Sequence, residues 1–134
     1  MHNTFSKKER LCSQKAIDEL MAQETKFFSH PFMVRWHTLP KNAETPARLL
    51  IIVPKRRLRH AVDRNRTKRL IRECYRQQKH KLYAFLNEQN TSIDLSLSYA
   101  DNSCPDYHTL WDKTEKILDR LMSEIEKSQN QPEL

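Results

Sequence analysis

Apolar residues along the chain recur in two rhythms, one close to the period of a helix and one that alternates. Side chains repeat on one face at these two periods, so the first rhythm predicts helices and the second predicts strands. The unbroken apolar run Leu49–Val53 predicts a central strand covered on both faces, which Pro54 ends. In chain order, the predicted elements are a helix from Ser13 to about Gln23, a strand over Phe32–Leu39, the strand over Leu49–Val53, a helix from about Ala61 to Phe85, a strand over Ser92–Tyr99 with its serines and aspartate toward solvent, and a helix that begins near Pro105.

This order predicts a single α+β domain in which helices pack on a small sheet, with a further short strand possible near Phe27. We expect a partly ordered N-terminal arm over residues 1–10, the domain over residues 11–126, and a frayed polar tail over residues 127–134. Ser13 is one candidate cap for the first helix, and the pattern Ser6-x-x-Glu9 is a second. The sequence does not decide between these two caps, so the residue at which the ordered structure begins is left open as well.

Composition excludes several classes of protein. The 134 residues contain no glycine, so no Gly-rich phosphate loop of the Rossmann or Walker type can be present. Cys12, Cys74 and Cys104 form no C-x-x-C pair, which argues against a disulfide framework or a zinc site and favours a reduced, cytoplasmic setting. The start of the chain lacks the apolar run of a signal peptide, and no run is long enough to span a membrane. We therefore expect no membrane association.

The net charge of +7 is concentrated in one part of the chain. Between Arg48 and Lys81 there are 13 Lys or Arg residues against two acidic ones, a balance of +11, so the rest of the chain carries −4. A localised basic block within a patterned segment is typical of a surface that binds a polyanion. The alternative is a basic face that is merely solvated.

The helical positions of the basic block favour a binding surface. Leu70, Ile71 and Cys74 share one side, which we expect to face the sheet. Four cations recur at every fourth residue on the opposite side, where they repel one another unless a polyanion lies against them. This predicted stripe comprises Arg64, Lys68, Arg72 and Arg76, with Asn65 and Arg69 beside it and Arg66 further round.

The motif R-N-R-x-K-R-x-x-R over residues 64–72 resembles the signature of the protein component of bacterial ribonuclease P. The preceding run from Val53 to Val62, a strand end followed by a basic loop and a helix start, is similar to that family as well. The resemblance covers Leu11 to Leu121. It implies the order α-β-β-β-α-β-α, with a mixed sheet and a left-handed β-α-β crossover around the signature helix, where a right-handed one is the general rule.

The resemblance also implies a function. In this family a catalytic RNA removes the 5′ leader of precursor tRNA and holds the divalent metal, Mg, at the scissile phosphate. The protein binds that RNA and the leader, so we expect a monomer in a 1:1 complex with the RNA. We expect no catalytic residue, metal site or cofactor in the chain itself.

Site residues follow from the matched positions. A cleft between the first helix and the sheet holds the leader in this family, and its candidate aromatic residues here are Phe28, Phe32 and Trp36. The pattern equally supports Phe32 and Trp36 as ordinary core, and a shift of one residue would place Arg35 in the cleft instead. The first helix carries Ile17 and Met21 where the family usually has phenylalanine. The expected RNA contacts are Lys55, Arg56, Arg57, Arg64, Asn65, Arg66, Lys68, Arg69, Arg72 and Arg76.

Other functions remain alternatives at this point. A ribosomal or RNA-chaperone protein could use the same basic helix without any enzymatic role. An autonomous metal-dependent nuclease is disfavoured because the six histidines are scattered and acidic residues are sparse near the basic block. A DNA-binding helix protein is disfavoured because no second helix precedes the basic one at turn spacing.

Many relatives carry glycine in the segment that corresponds to the loop from Lys55 to His60. We expect this loop to be the part of the chain that differs most from the family.

Overall fold

The computed structural model describes residues 5–42 and 44–129 and confirms the order α-β-β-β-α-β-α. Ser13 caps the first helix by accepting a hydrogen bond from the Ala16 amide at 3.3 Å. The extra strand near Phe27 is present. After a 3-10 turn at Lys7–Glu9, the elements are α1 (Gln14–Met21), β1 (Lys26–Ser29), β2 (Phe32–Pro40), β3 (Ala47–Ile52), α2 (Ala61–Glu88), β4 (Thr91–Tyr99) and α3 (Tyr107–Gln129).

The four strands form one mixed sheet in the spatial order β1-β2-β4-β3. β2 pairs with β1 and β4 in antiparallel fashion, whereas β3 and β4 are parallel. The long helix α2 therefore connects two parallel neighbours, as the resemblance implied, and the left-handed sense of that crossover stays a prediction.

One face of the sheet forms the main core with α2 and α3. Phe32, Val34 and Trp36 alternate along β2 and are at most 4% exposed, so this side of the strand faces the core. Val34 lies opposite Leu97 on β4, and Leu97 in turn lies opposite Ile51 on β3, so apolar positions line up across the strands. Val34 and Leu97 belong to the same buried cluster as the inner sides of α2 and α3, and the partly buried Ile51 packs against it.

The predicted environments of the third and fourth strands were wrong in opposite senses. β3 lies at an edge of the four-stranded sheet and is only partly buried, although its apolar run predicted a central strand. β4 is central, and its supposedly solvated residues Ser92, Asp94 and Ser96 are at most 3% exposed. Burial is possible because the polar groups have partners: Asp94 accepts two hydrogen bonds from Arg48 at 2.7 and 2.8 Å, and the Ser92 hydroxyl accepts one from a loop amide.

The short helix α1 packs on this second, polar face of the sheet. It contacts β2 and β4, and its Leu20 is fully buried. Arg35 on β2 donates hydrogen bonds to the carbonyls of Met21 and Gln23, which ties the end of α1 to the sheet. Because α1 has only eight residues, it leaves part of the polar face uncovered.

Replacing Asp94 by alanine should lower the free energy of unfolding by about 2–3 kcal/mol, because the Arg48 guanidinium loses both of its carboxylate acceptors. Asp94→Asn, which keeps one acceptor, should lose less. Urea unfolding measures both values through the midpoint at an unchanged m-value. A loss below about 0.5 kcal/mol for alanine would mean that the pair contributes nothing to the burial of β4.

Candidate nucleic-acid interface

The basic loop between β3 and α2 is held by a buried anchor. Pro54 accepts hydrogen bonds from the amides of Arg57 and Leu58 at 3.0 and 3.3 Å, and Leu58 is only 5% exposed. In the loop held by this anchor, the side chains of Lys55 and Arg56 are exposed and that of Arg57 is half-buried. The predicted basic loop is therefore an ordered cationic surface.

The orientation of α2 differs from the predicted one by part of a turn. Thr67 and Tyr75 are fully buried together with Ile71 and Cys74, whereas Leu70 is only half-buried. Thr67 can lie in the core because its hydroxyl donates to a backbone carbonyl one turn earlier at 2.8 Å. Burial raises the pKa of the Cys74 thiol to about 11, which fits a core residue and not a nucleophile.

As a result, the predicted stripe is half-buried along the flank of the helix, and other cations face solvent. Arg64, Lys68, Arg72 and Arg76 are all half-buried, so their expected position opposite the sheet was wrong. The exposed side of the first turns carries Asn65, Arg66 and Arg69, which the matched motif had also identified.

Two members of the stripe have partners within the chain. Arg64 donates to the carbonyls of Leu58 and Arg59 at 3.0 and 2.8 Å and thereby braces the basic loop. Arg76 pairs with Glu73 one turn earlier. Arg64 is thus part of the support of the interface as well as a candidate contact.

A cleft of about 290 Å3 opens on the uncovered polar face, between the end of α1, the edge strand β1 and the basic loop. Its apolar walls include Phe28 and Met21, which are 50% and 41% exposed. Among the described residues that line it, the charged ones are all arginines, so the cleft favours an anionic ligand. The floor and walls comprise Met33, Arg35, Ser96, Ser98, Met21, Phe28, Arg56 and Arg57.

The structure decides between the two alternatives left open for the aromatic candidates. Phe32 and Trp36 are 0% and 4% exposed on the opposite face of the sheet, so both are core residues and their proposed place in the leader cleft was wrong. Phe28 does lie at the cleft, and the register places Arg35 and Met33 there. Side chains alternate between the two faces of a strand, so once Phe32 and Trp36 are assigned to the core, Met33 and Arg35 must face the cleft.

The described residues contain no group of three or more His, Cys, Asp or Glu side chains arranged to hold a metal ion. In the same part of the chain, no helix is long and apolar enough to cross a membrane.

Substitution of Arg64 should affect stability, whereas substitution of the exposed cations should not. Arg64→Ala removes two charge-assisted hydrogen bonds that hold the basic loop, and we expect a loss of about 1 kcal/mol in the free energy of unfolding. The double variant R66A/R69A should stay within about 0.5 kcal/mol of the unchanged protein. Thermal or urea unfolding compares them, and equal values for both variants would contradict the bracing role of Arg64.

Comparison with known proteins places this geometry in a family. The family model described as Ribonuclease P matches residues 5–122. The ribonuclease P protein component of Porphyromonas gingivalis strain ATCC 33277 is 31% identical over 124 residues, which cover 92% of this chain and 90% of the relative. That of Nitrosococcus oceani is 35% identical over 78 residues, covering 58% and 63% of the two chains.

Solved structures share the fold. The ribonuclease P protein from Thermotoga maritima superposes with a TM-score of 0.64 at 22% identity, covering 84% of this chain and 96% of that one. The Staphylococcus aureus protein gives a TM-score of 0.63 at 20% identity, covering 84% and 94%. With the family model matching most of its length, the chain belongs to the ribonuclease P protein family and is a protein subunit of that tRNA-processing ribonucleoprotein.

Proposed function

We propose that this chain binds the catalytic RNA of ribonuclease P with α2 and the basic loop, and holds the 5′ leader of precursor tRNA in the cleft beside α1. The observation that carries this proposal is the continuity of the cationic surface. Arg56 and Arg57 belong to the basic loop that leads into α2, and they also line the cleft. One bound assembly could therefore contact both surfaces.

The exposed side of α2 suits the backbone of folded RNA. Arg66 and Arg69 are exposed one turn apart, and the planar guanidinium group can donate to two phosphate oxygens at once. Asn65, which is also exposed, adds a neutral donor and acceptor beside them. Because phosphate contacts release counterions, such binding weakens steeply as the salt concentration rises.

The cleft suits a single strand. Bases without a pairing partner stack on aromatic and apolar side chains, while cations beside them hold the phosphates. Phe28 and Met21 provide the apolar surface, and Arg35, Arg56 and Arg57 provide the charge. A cleft of this size admits part of an unpaired leader and excludes a duplex.

In this proposal the chain's residues bind and orient the substrate, and none of them transfers a proton at the scissile phosphate. The divalent metal, Mg, is held by the RNA subunit and supplies the activation of water there. The protein acts as a monomer in a 1:1 complex with that RNA in the cytoplasm.

Reconstitution tests the proposal. The protein is added to the RNA subunit and precursor tRNA at low magnesium, and release of the leader is followed on a gel. We expect the protein to stimulate cleavage, and R66A/R69A to need more protein for the same rate. The absence of stimulation would contradict the proposal, and cleavage without the RNA subunit would indicate an autonomous nuclease.

A binding titration with the reconstituted complex examines the cleft through Phe28→Ala. Loss of one stacking surface should weaken the complex with leader-bearing precursor tRNA about tenfold, since a stacked base contributes roughly 1–3 kcal/mol. Binding of mature tRNA, which lacks the leader, is the matched control and should not change. An equal loss for both substrates would place Phe28 outside the leader site.

A further inference from the structure

Residues Phe5 to Arg10, here called the arm, are fixed in the groove between α2 and the edge of β3. Arg10 forms a parallel bridge with Leu49 of β3, and the Leu11 amide donates to the Leu49 carbonyl at 3.0 Å. On the other side, the Phe5 ring meets the ring of Tyr75 on α2 edge-on, with centroids 5.9 Å apart. The arm, which the sequence indicated as only partly ordered, thus has defined contacts from Phe5 onward.

A buried carboxylate holds the arm in place. Glu9 is only 6% exposed, forms an ion pair with Lys79 of α2, and accepts a hydrogen bond from the Tyr83 hydroxyl at 2.7 Å. The Ser6 amide donates to its second oxygen at 2.6 Å. Burial by itself would raise the pKa of Glu9, but the bonds from Lys79, Ser6 and Tyr83 outweigh it and hold that pKa below its ordinary value of 4.5.

This arrangement places the negative charge of the arm in the interior and its positive charges at the surface. Its one carboxylate points inward and is neutralised by Lys79, while Lys7, Lys8 and Arg10 are all exposed. The solvent-facing side of the arm therefore carries three cations and no anion. Such a surface either binds an anionic partner or is merely solvated, and its position relative to the proposed α2 interface decides between these two possibilities.

The arm continues the basic flank of α2. Lys79 lies seven residues, about two helical turns, after Arg72, which places the two side chains on the same side of the helix. Lys68 is one turn before Arg72 on that side. Arg72 itself is half-buried on this flank.

From this we propose that the arm is a second phosphate-contacting surface of the protein subunit, which extends the α2 interface along the backbone of the RNA subunit, with Glu9 as its positioning residue. The proposal rests on the function proposed above. It identifies Lys7 and Lys8 as direct contacts, and it assigns to the Glu9–Lys79 pair the role of holding them beside Arg72.

The test measures the affinity of the full chain for the RNA subunit over a series of salt concentrations. Removing two phosphate contacts in K7A/K8A should reduce the slope of log affinity against log salt by between roughly one and two units. The matched control is K116A/K127A, which removes two exposed lysines from α3. Lys81 pairs with Asp119 of α3 at 2.9 Å, and positions 79 and 81 are about 200° apart on a helix, so α3 and the arm lie on opposite sides of α2.

The positioning role of Glu9 is tested with Glu9→Gln. Hydrogen exchange at the Leu11 amide, which is bonded to β3, reports whether the arm stays docked. We expect faster exchange at Leu11 and a reduced salt slope in E9Q, while exchange in the centre of β4 stays slow. Undiminished binding by an undocked arm would overturn the positioning role. If E9Q fails to fold, K7A/K8A still tests the surface, because both lysines are exposed.

The possible outcomes separate this inference from the function on which it rests. Equal slopes for K7A/K8A, K116A/K127A and the unchanged protein would overturn the arm surface, even if R66A/R69A still lowers the slope and the protein still stimulates cleavage. Failure of the unchanged protein to bind the RNA subunit would instead contradict the proposed function itself.

Discussion

The rest of the structure depends on the burial of β4. This strand is hydrogen-bonded on both sides and buried over most of its length, so its buried carboxylate needs a partner within the protein. Its apolar side chains belong to one buried cluster with the inner sides of α2 and α3. Its other face keeps Asp94, and Arg48 of the neighbouring strand is the group that makes this possible. The polar face is therefore a stable part of the sheet, and the proposed leader cleft lies on it.

The cleft exists because the short helix α1 covers only part of the polar face of the sheet. α1 ends at Met21, and Arg35 fixes that end by donating to the Met21 carbonyl and to the Gln23 carbonyl just beyond it. The same arginine lines the cleft, so the side chain that sets the position of one wall is also available to the ligand. The basic loop forms the other side because Leu58 anchors it and Arg64 braces its carbonyls. Fold and interface share these residues, which is why we expect only the outer cations to be removable without loss of stability.

The order of elements, the basic loop and the signature on α2 could all be predicted from the sequence, because they depend on local pattern. The errors have a common physical origin. Asp94 was predicted to face solvent, and the sequence pattern gave no sign that Thr67 or Lys79 belongs to the interior, yet each is buried against a partner. For Lys79 and Asp94 that partner is 70 and 46 residues away, so no local pattern could indicate it. The same limit applies to the arm, whose order depends on the contact of Glu9 with α2.

The absence of glycine explains how this interface must work. Among the described residues, the one with a left-handed backbone is Asn90, which follows α2 at φ 54°. Asparagine adopts this conformation at a lower cost than most other residues with a side chain. Tight backbone cradles for phosphate, which need such conformations, are not available, so anions must be held by side chains. Long cationic side chains lose entropy when they are immobilised by a ligand. Arg35 and Arg64 avoid part of that loss because carbonyl groups of the chain already hold them. A glycine-free RNA-binding surface thus depends on cations that the fold has placed in advance.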